Sequence, residues 1–161
     1  MSDLFKIRPA VPGDCDSIHR LLMELAEYEK ITHWVESTPA STHQALFGDQ
    51  PAAGALVAEV EGIIIGTAVF FHNYSTFIGK QGLYLEDIYI TPEQRGKGIG
   101  KAILKELARL AVKRNCGRME WTVLDWNQPA IDFYDKIGGE MLDEWRIVRM
   151  NREGIEALAE S

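Results

Sequence analysis

The sequence predicts a mixed sheet domain of the α/β or α+β class. Alternating or continuous apolar runs predict strands, apolar residues at helical spacing predict helices, and Gly or Pro separates most of these segments. The predicted order is β-α-(α)-β-β-β-α-β-α-β, which is typical of helices that cover a sheet. A length of 161 residues predicts one domain over residues 1–161.

The first third of the chain predicts a strand and two helices. Phe5–Arg8 alternates as a strand does, and Asp14 can cap a helix that runs to about Tyr28. Four apolar residues share one face of that helix, namely Ile18, Leu21, Leu22 and Leu25. Residues 30–52 contain two prolines and a glycine, which predicts a loop with one short helix.

The middle of the chain predicts three strands and a long helix. Residues 55–60 and 63–72 predict a hairpin that turns at Glu61-Gly62. Residues 83–91 predict a fourth strand, which ends at Pro92 because proline lacks an amide donor. Ile99 then begins a strongly amphipathic helix that runs to about Asn115.

The last third predicts two strands and two helices. Residues 119–124 predict a fifth strand, and Asn127 can cap a helix that ends near Ile137 before a pair of glycines. Residues 145–150 predict the last strand, and residues 152–159 predict a short terminal helix. The sequence contains no repeat and no linker.

Composition argues against several classes of protein. Hydrophobic residues make up 46% and charged residues 25%, which is ordinary for a globular protein. The longest stretch without strongly polar groups, Ile63–Phe71, is too short for a membrane span of about 20 residues. Residues 1–9 lack the apolar run of a secretory signal. Cys15 and Cys116 form no disulfide framework or metal-binding spacing, so we expect a cytoplasmic protein without metal.

Charge is distributed unevenly along the chain. The net charge of −7 argues against nucleic acid as a partner, and the lack of a membrane-spanning stretch predicts no membrane partner. Residues 94–118 nevertheless carry eight bases and one acid, which leaves −14 for the remainder. This basic segment is either a surface that attracts a polyanion or a solvated helix face.

A glycine-rich turn lies between the fourth strand and the long helix. Residues 94–101 read Gln-Arg-Gly-Lys-Gly-Ile-Gly-Lys. Bare backbone N–H groups at a helix N-terminus can bind phosphate, and glycine allows close approach. The dinucleotide pattern fails at Lys101, and the nucleotide-triphosphate pattern fails at Arg95 and Ala102. The turn is therefore either a different phosphate cradle or a structural turn into the helix.

The remaining pattern, Arg95-x-x-Gly98-x-Gly100, resembles the pyrophosphate loop of the GCN5-related N-acetyltransferases (GNAT). Other segments resemble the diamine branch of that superfamily, which includes spermidine/spermine and thialysine acetyltransferases. They are Ile7-Arg8-Pro9-Ala10, Asp14-Cys15, Leu25-Ala26-x-Tyr28-Glu29, Tyr84–Ile90, Leu124–Pro129 and Phe133-Tyr134-x-x-x-Gly138. The resemblance covers nearly the whole chain.

The resemblance implies a fold and a cosubstrate. The implied fold is a mixed, mostly antiparallel central sheet, splayed between strands four and five and flanked by helices. The implied cosubstrate is acetyl-CoA, whose pantetheine arm would lie along the fourth strand as an added strand. The implied cofactor-binding residues are Ile88, Tyr89, Ile90, Arg95, Gly96, Lys97, Gly98, Ile99, Gly100, Lys101, Asn127, Pro129, Ala130 and Tyr134. The family also implies a homodimer.

Two catalytic residues follow from the resemblance. Tyr134 would donate a proton to the departing thiolate, since a phenol with a pKa near 10 stays protonated at neutral pH. Glu86 would accept a proton from the amine through water. The alternatives are a packing role for Tyr134 and a structural ion pair for Glu86.

The implied substrate is the primary amine of a small cationic metabolite, such as thialysine, a lysine-like compound, a diamine or a polyamine. The implied substrate-binding residues are Tyr28, Glu29, Glu86, Asp87 and Glu120. Residues 75–78 lack an acid for the distal ammonium of a polyamine, which favours the thialysine-like members. A protein-lysine acetyltransferase and a non-catalytic acyl-CoA-binding module are the alternatives.

Overall fold

A five-stranded sheet in the order β1-β2-β3-β4-β5 organises the chain. A computed structural model describes residues 4–161. The strands are β1 (Lys6–Pro9), β2 (Gly54–Val60), β3 (Ile63–Ser75), β4 (Lys80–Ile90) and β5 (Met119–Glu120). The first four strands pair antiparallel, and β4 pairs parallel with β5, which confirms the predicted mixed sheet.

Five α-helices accompany the strands in the described part of the chain. They are α1 (Cys15–Tyr28), α2 (Pro39–Phe47), α3 (Ile99–Lys113), α4 (Gln128–Lys136) and α5 (Arg152–Ala159). Short 3-10 turns lie at 12–14, 32–34 and 92–94. The predicted helices are confirmed, since amphipathic spacing acts locally. The expected cap at Asp14 is wrong, because its carboxylate makes no capping hydrogen bond to α1 and instead accepts from Arg8 and the Val11 amide.

Two compact units divide the chain after Thr122. The unit that ends at Thr122 contains the sheet and α1 to α3, and the unit from Val123 to Ser161 contains α4 and α5. The single domain expected over residues 1–161 stays a prediction.

The sheet of the first unit is covered on both faces. Ile18 and Leu21 of α1 pack in a buried cluster with Val57, Ile64 and Tyr89 of the strands. Helix α3 packs against β4, β2 and β1. The guanidinium carbon of Arg114, which follows α3, lies 5.8 Å from the ring centroid of Phe70. Val69 lies on the α1 side, and its neighbour Phe70 lies on the α3 side, because successive strand residues point to opposite faces.

A β-bulge interrupts β4 at Glu86. Val69 pairs with Asp87 and Phe70 pairs with Leu85, so Glu86 is an extra residue opposite the β3 ladder. Directly paired residues share a face, so Leu85 lies on the α3 face and Asp87 on the α1 face. Without the bulge, these two residues would lie on the same face.

Strand β4 diverges from β5 after two residue pairs. The pairs are Leu83 with Met119 and Tyr84 with Glu120, and β4 then continues to Ile90 without a β5 partner in the described chain. The expected splay between strands four and five is confirmed. The predicted fifth strand, 119–124, is too long, because a strand ends where its pairing ends.

The strand predicted at residues 145–150 is wrong. The segment lies within the described residues, 4–161, and forms no strand there. The side chains of Val148 and Trp145 are exposed, with 96% and 74% of their surface accessible to solvent. The side-chain pattern of a strand is present, but hydrogen bonding to a neighbouring strand is what forms a sheet.

The N-terminus and the helices bear on two predictions, the absence of a secretory signal and the absence of a membrane span. The expected absence of a secretory signal falls partly on residues 1–3, which lie outside the described residues. No helix in residues 4–161 is long and apolar enough to cross a membrane.

Candidate functional site

The glycine turn before α3 forms an open backbone cradle. Gly96 and Gly98 have φ angles of 77° and 81°, in the left-handed region that favours glycine. A Cβ built at either glycine would meet no heavy atom of the described chain within 4 Å. Gly98 is the N-cap of α3, and no described side chain caps this helix end. The first amide groups of α3 are therefore available to an anion such as a diphosphate.

The third glycine of the motif, Gly100, lies in the first turn of α3 next to the end of β4. A Cβ at Gly100 would lie 3.5 Å from Cδ1 of Ile90, an ordinary contact. A side-chain methyl group would therefore fit at Gly100, and the structure gives this glycine no steric requirement. Of the bases in the turn, Lys97 donates a hydrogen bond to Gln94 at 2.8 Å, and Lys101 is exposed.

Arg95 is turned towards α1 and β4. Its Nε donates a hydrogen bond to the carbonyl oxygen of Ile90 at 2.9 Å. Its guanidinium carbon lies 5.6 Å from the ring centroid of Tyr28 and 5.2 Å from that of Tyr89, which are cation–π distances. Arg95 thus links the glycine turn to the C-terminal end of α1, a contact that the sequence pattern did not predict.

Tyr89 was predicted to bind the cofactor, and its side chain lies on the α1 face of the sheet. The ring is buried in the cluster with Ile18 and Leu21. Burial, together with a hydrogen bond to Glu24, raises the pKa of the Tyr89 hydroxyl. Tyr89 and Arg95 therefore both join α1 to the end of β4.

Three predicted substrate residues lie close enough to interact electrostatically. Burial raises the pKa of Asp87 to about 6, and the nearby carboxylates of Glu86 and Glu29 contribute to the rise. Glu29 follows the last residue of α1, and burial raises its pKa as well. We call Glu29, Glu86 and Asp87 the acidic cluster. Its negative potential suits an ammonium group.

A cavity of about 180 Å³ lies beside the acidic cluster, between α1, α2 and the sheet. Asp87 is the one charged side chain among the described residues that line it. The other lining residues are Ile18, Leu22, Leu25, Ser37, Ser41, Thr42, Ala45, Leu46, Ala53, Thr67, Val69 and Tyr89. The sequence predicted no functional role for α2, because its residues match no known motif. Only the tertiary fold brings them next to the cavity.

The free edge of β4 lies next to the acidic cluster along the chain. Ile88 and Ile90, predicted to meet the cosubstrate through their backbone, lie in the part of β4 beyond its pairing with β5. A strand edge with unpaired backbone groups can accept an added extended segment. Glu86, at the bulge in the same stretch, is exposed.

Glu120 belongs to a different group of contacts. Its Oε1 accepts hydrogen bonds from Arg118 at 2.9 Å and from Asn73 at 3.1 Å. Glu120 therefore has two local partners, and it does not contribute to the raised pKa of Asp87 as Glu86 and Glu29 do.

The second unit carries the remaining predicted residues on and before α4. The Asn127 side chain caps the helix, accepting a hydrogen bond from the amide of Ala130 at 3.4 Å. Pro129 lies in the first turn, where its missing N–H costs nothing. Tyr134 lies half-buried on α4, with its ring centroid 5.6 Å from that of Phe133.

Comparison with known proteins assigns the family. The Acetyltransferase (GNAT) family pattern matches residues 16–139. A thialysine N-epsilon-acetyltransferase from Bos taurus is 38% identical, over 95% of this chain and 96% of its own. An L-ornithine N5-acetyltransferase from Arabidopsis thaliana is 30% identical, over 95% and 87%. An integron cassette protein of V. cholerae has a TM-score of 0.82 at 24% identity, over 99% and 100%.

Proposed function

The chain belongs to the acetyltransferase (GNAT) family and is an N-acetyltransferase, and we propose that it transfers acetyl from acetyl-CoA to the primary amine of a small cationic metabolite. The observation that carries the proposal is the open backbone cradle at Gly96 and Gly98, before the uncapped N-terminus of α3. Acetyl-CoA would supply the acetyl group as a thioester. The GNAT fold of the family supports the same assignment.

The cradle and the free edge of β4 would hold the cosubstrate. Amide groups from Gly96 to Lys101 would bind the pyrophosphate, with Lys97 and Lys101 adding positive charge. Ile88 and Ile90 would bind the pantetheine arm through their backbone, and amides there would polarise the thioester carbonyl. Arg95 would act by positioning α1 against β4, in line with its contacts to Tyr28 and Tyr89.

From the second unit, the residues on and before α4 would also contact the cosubstrate. These are Asn127, Pro129, Ala130 and Tyr134. Tyr134 would protonate the departing thiolate, because a phenol remains protonated at neutral pH.

The acidic cluster would bind the amine as an ammonium ion. Asp87 is more than nine-tenths ionised at pH 8 with a pKa of about 6, so it can pair with the cation. Glu86 is exposed at the bulge and would accept the proton of the amine through water, because only a neutral amine attacks a thioester. Tyr28 and Glu29 would complete the amine site at the end of α1.

The substrate class rests on the relatives and on local charge. The named relatives act on thialysine and L-ornithine, and we propose an amine of that size for this enzyme. A protein lysine is the second candidate, and an acyl-CoA-binding module without turnover is the third. Cytoplasmic location and homodimer assembly belong to the same proposal.

Thiol release from acetyl-CoA across a panel of free amines and lysine peptides tests the function. We expect release with small amines. Release with peptides alone would select the protein modifier, and CoA binding without any release would select the binding module.

Loss of the cradle gives a second test. Gly98→Val should abolish CoA binding in calorimetry, because valine is strained at a φ of 81° and fills the space before α3. Gly62→Val is the matched control, since Gly62 also has a φ of 81° with open space around it but lies in the β2–β3 turn. Equal CoA affinity of the two variants would refute the cradle.

A further inference from the structure

We propose that a second cavity, at the C-terminal end of α3, binds a small organic anion with one carboxylate and an apolar body of about ten to twelve carbons. This cavity has a volume of about 420 Å³ and is lined by residues of α2, α3 and the strands β1 to β3. We call it the α3 cavity. None of its described lining residues belongs to the cradle, the acidic cluster or the predicted cosubstrate site. Ligand binding there therefore does not depend on the proposed function.

Helix α3 keeps the α3 cavity apart from the glycine turn. A helix rises about 1.5 Å per residue, so Lys113 at the end of α3 lies about 21 Å along the axis from Ile99 at its start. The basic segment 94–118 therefore has two parts. Its first part adjoins the cradle, and its second part contributes Arg109, Lys113 and Arg114 to the α3 cavity. These three bases have no role in the proposed function.

Most of the described wall of the α3 cavity is apolar. It includes Ile7, Leu56, Phe70 and Leu110. The Phe70 ring lies close against the backbone of β2, since a Cβ built at Gly54 would be 2.8 Å from Cζ of that ring. A water-sized group occupies roughly 30 Å³, so a cavity of about 420 Å³ holds about fourteen non-hydrogen atoms. Small-molecule sites are typically apolar cavities of this kind, in which a few polar groups orient the ligand.

Two of the basic side chains in the lining already have acidic partners. Arg8 forms ion pairs with Asp14 at 2.7 Å and with Glu59 at 2.9 Å. Arg109 forms an ion pair with Glu106 on the same helix. Because these charges are balanced within the chain, neither arginine needs a ligand as its counter-ion. The net charge of the lining therefore comes from the remaining two bases.

Lys113 and Arg114 are the unbalanced bases of the α3 cavity. Within residues 4–161, no carboxylate lies within ion-pair distance of either side chain. The guanidinium carbon of Arg114 lies 5.8 Å from the centroid of the Phe70 ring, and its Nη1 lies 3.4 Å from Nε2 of His72. Burial and the charge of Arg114 lower the pKa of His72, so this imidazole is neutral at neutral pH. Two cations beside an apolar wall complement a carboxylate on an apolar body.

Calorimetric titration of straight-chain carboxylates of about four to twelve carbons, beside the neutral amides of the shorter members, tests the proposal. We expect the affinity to rise about two- to fourfold per carbon, because each methylene leaves water for the apolar wall. We expect each amide to bind about tenfold more weakly than its carboxylate, since it forms no charge-assisted hydrogen bond. Equal affinity of carboxylates and amides, or no binding of either, would overturn the proposal.

Removal of the unbalanced charges tests the contact with the carboxylate. Lys113→Gln and Arg114→Gln should each weaken the binding of decanoate about fivefold, the scale of an exposed ion pair. Lys105→Gln is the matched control, because Lys105 is an exposed base of α3 outside the described lining of the cavity. An equal loss in all three variants would indicate non-specific attraction to the helix and would overturn the proposal, as would an unchanged affinity in all three.

A variant that fills the α3 cavity tests the contact with the apolar body. Leu110→Trp adds about six non-hydrogen atoms to the wall, so decanoate should bind about tenfold more weakly or not at all. Val112→Trp is the control, because Val112 is 81% exposed on the same helix and lies outside the described lining. Unchanged decanoate affinity in Leu110→Trp would contradict the proposal. Should Leu110→Trp not fold, the glutamine variants give the test by themselves.

Saturating CoA distinguishes the α3 cavity from the cosubstrate site. Because the two ends of α3 are about 21 Å apart, bound CoA should leave the affinity for decanoate unchanged. Displacement of decanoate by CoA would place the carboxylate in the cosubstrate site and would overturn the proposal. None of these measurements needs turnover, so a failure of amine acetylation and a failure of this site are observed separately.

Discussion

Replacing Asp87 by asparagine should stabilise the protein at neutral pH while weakening its use of the amine. Burial and two nearby carboxylates raise the pKa of Asp87 from 3.8 to about 6. Ionising Asp87 in the folded state is therefore unfavourable by about two pKa units, or about 3 kcal/mol. Asparagine is a neutral isostere and removes this cost.

The pH dependence follows from the direction of the shift. Because the folded protein binds this proton more tightly than the unfolded chain, the contribution of Asp87 to stability is complete below about pH 4. It is lost progressively as the pH rises from about 4 to about 6 and stays absent above that range. The free energy of unfolding of Asp87→Asn should thus exceed that of the parent by near zero at pH 4 and by about 3 kcal/mol at pH 7.

Urea denaturation of both proteins from pH 4 to pH 8 measures this difference. Asp49→Asn is the control, because Asp49 is exposed on the surface and lies outside the cavity lining. The same samples should show a lower kcat/KM for the amine in Asp87→Asn with an unchanged KM for acetyl-CoA. A variant less stable than the parent at pH 7 would refute the reasoning, because it would mean that the Asp87 carboxylate has a stabilising partner.

Three further substitutions test other parts of the structure. Tyr134→Phe should lower kcat about 10²-fold with little change in CoA affinity, the scale of a lost general acid; near-normal turnover would remove Tyr134 from the mechanism. Asp14→Asn should cost about 2 kcal/mol in urea denaturation at pH 7, because Arg8 loses its ion pair with Asp14 at 2.7 Å and keeps only the one with Glu59 at 2.9 Å. Arg8 lowers the pKa of Asp14, so this cost should shrink as the pH falls below about 4; a cost that persists there would exclude the ion pair as its cause. Arg95→Gln should raise the KM of the amine about tenfold through loss of the contacts with Tyr28 and Tyr89; a rise confined to the KM of acetyl-CoA would instead indicate phosphate binding.

Local features were predictable because they depend on neighbours along the chain. The amphipathic spacing from Ile99 predicted α3, and Asn127 predicted the start of α4, since periodicity and caps act within a few residues. The glycine turn was also predictable, because the positive φ angles at Gly96 and Gly98 favour that residue type. The strand at 145–150 was predicted wrongly, because a strand also needs a neighbour.

The amino-acid sequence by itself determined the helices, the hairpin, the glycine turn before α3 and the family. Tertiary structure alone decided the bulge at Glu86, which turns Asp87 to the α1 face, and the cavity that α2 closes there. It also brought the Arg95 guanidinium within cation–π distance of the rings of Tyr28 and Tyr89. The physical reason is that strand register, burial and cation–π contacts join residues far apart in the chain. The spacing of residues along the sequence does not give the distances between such residues in the folded protein.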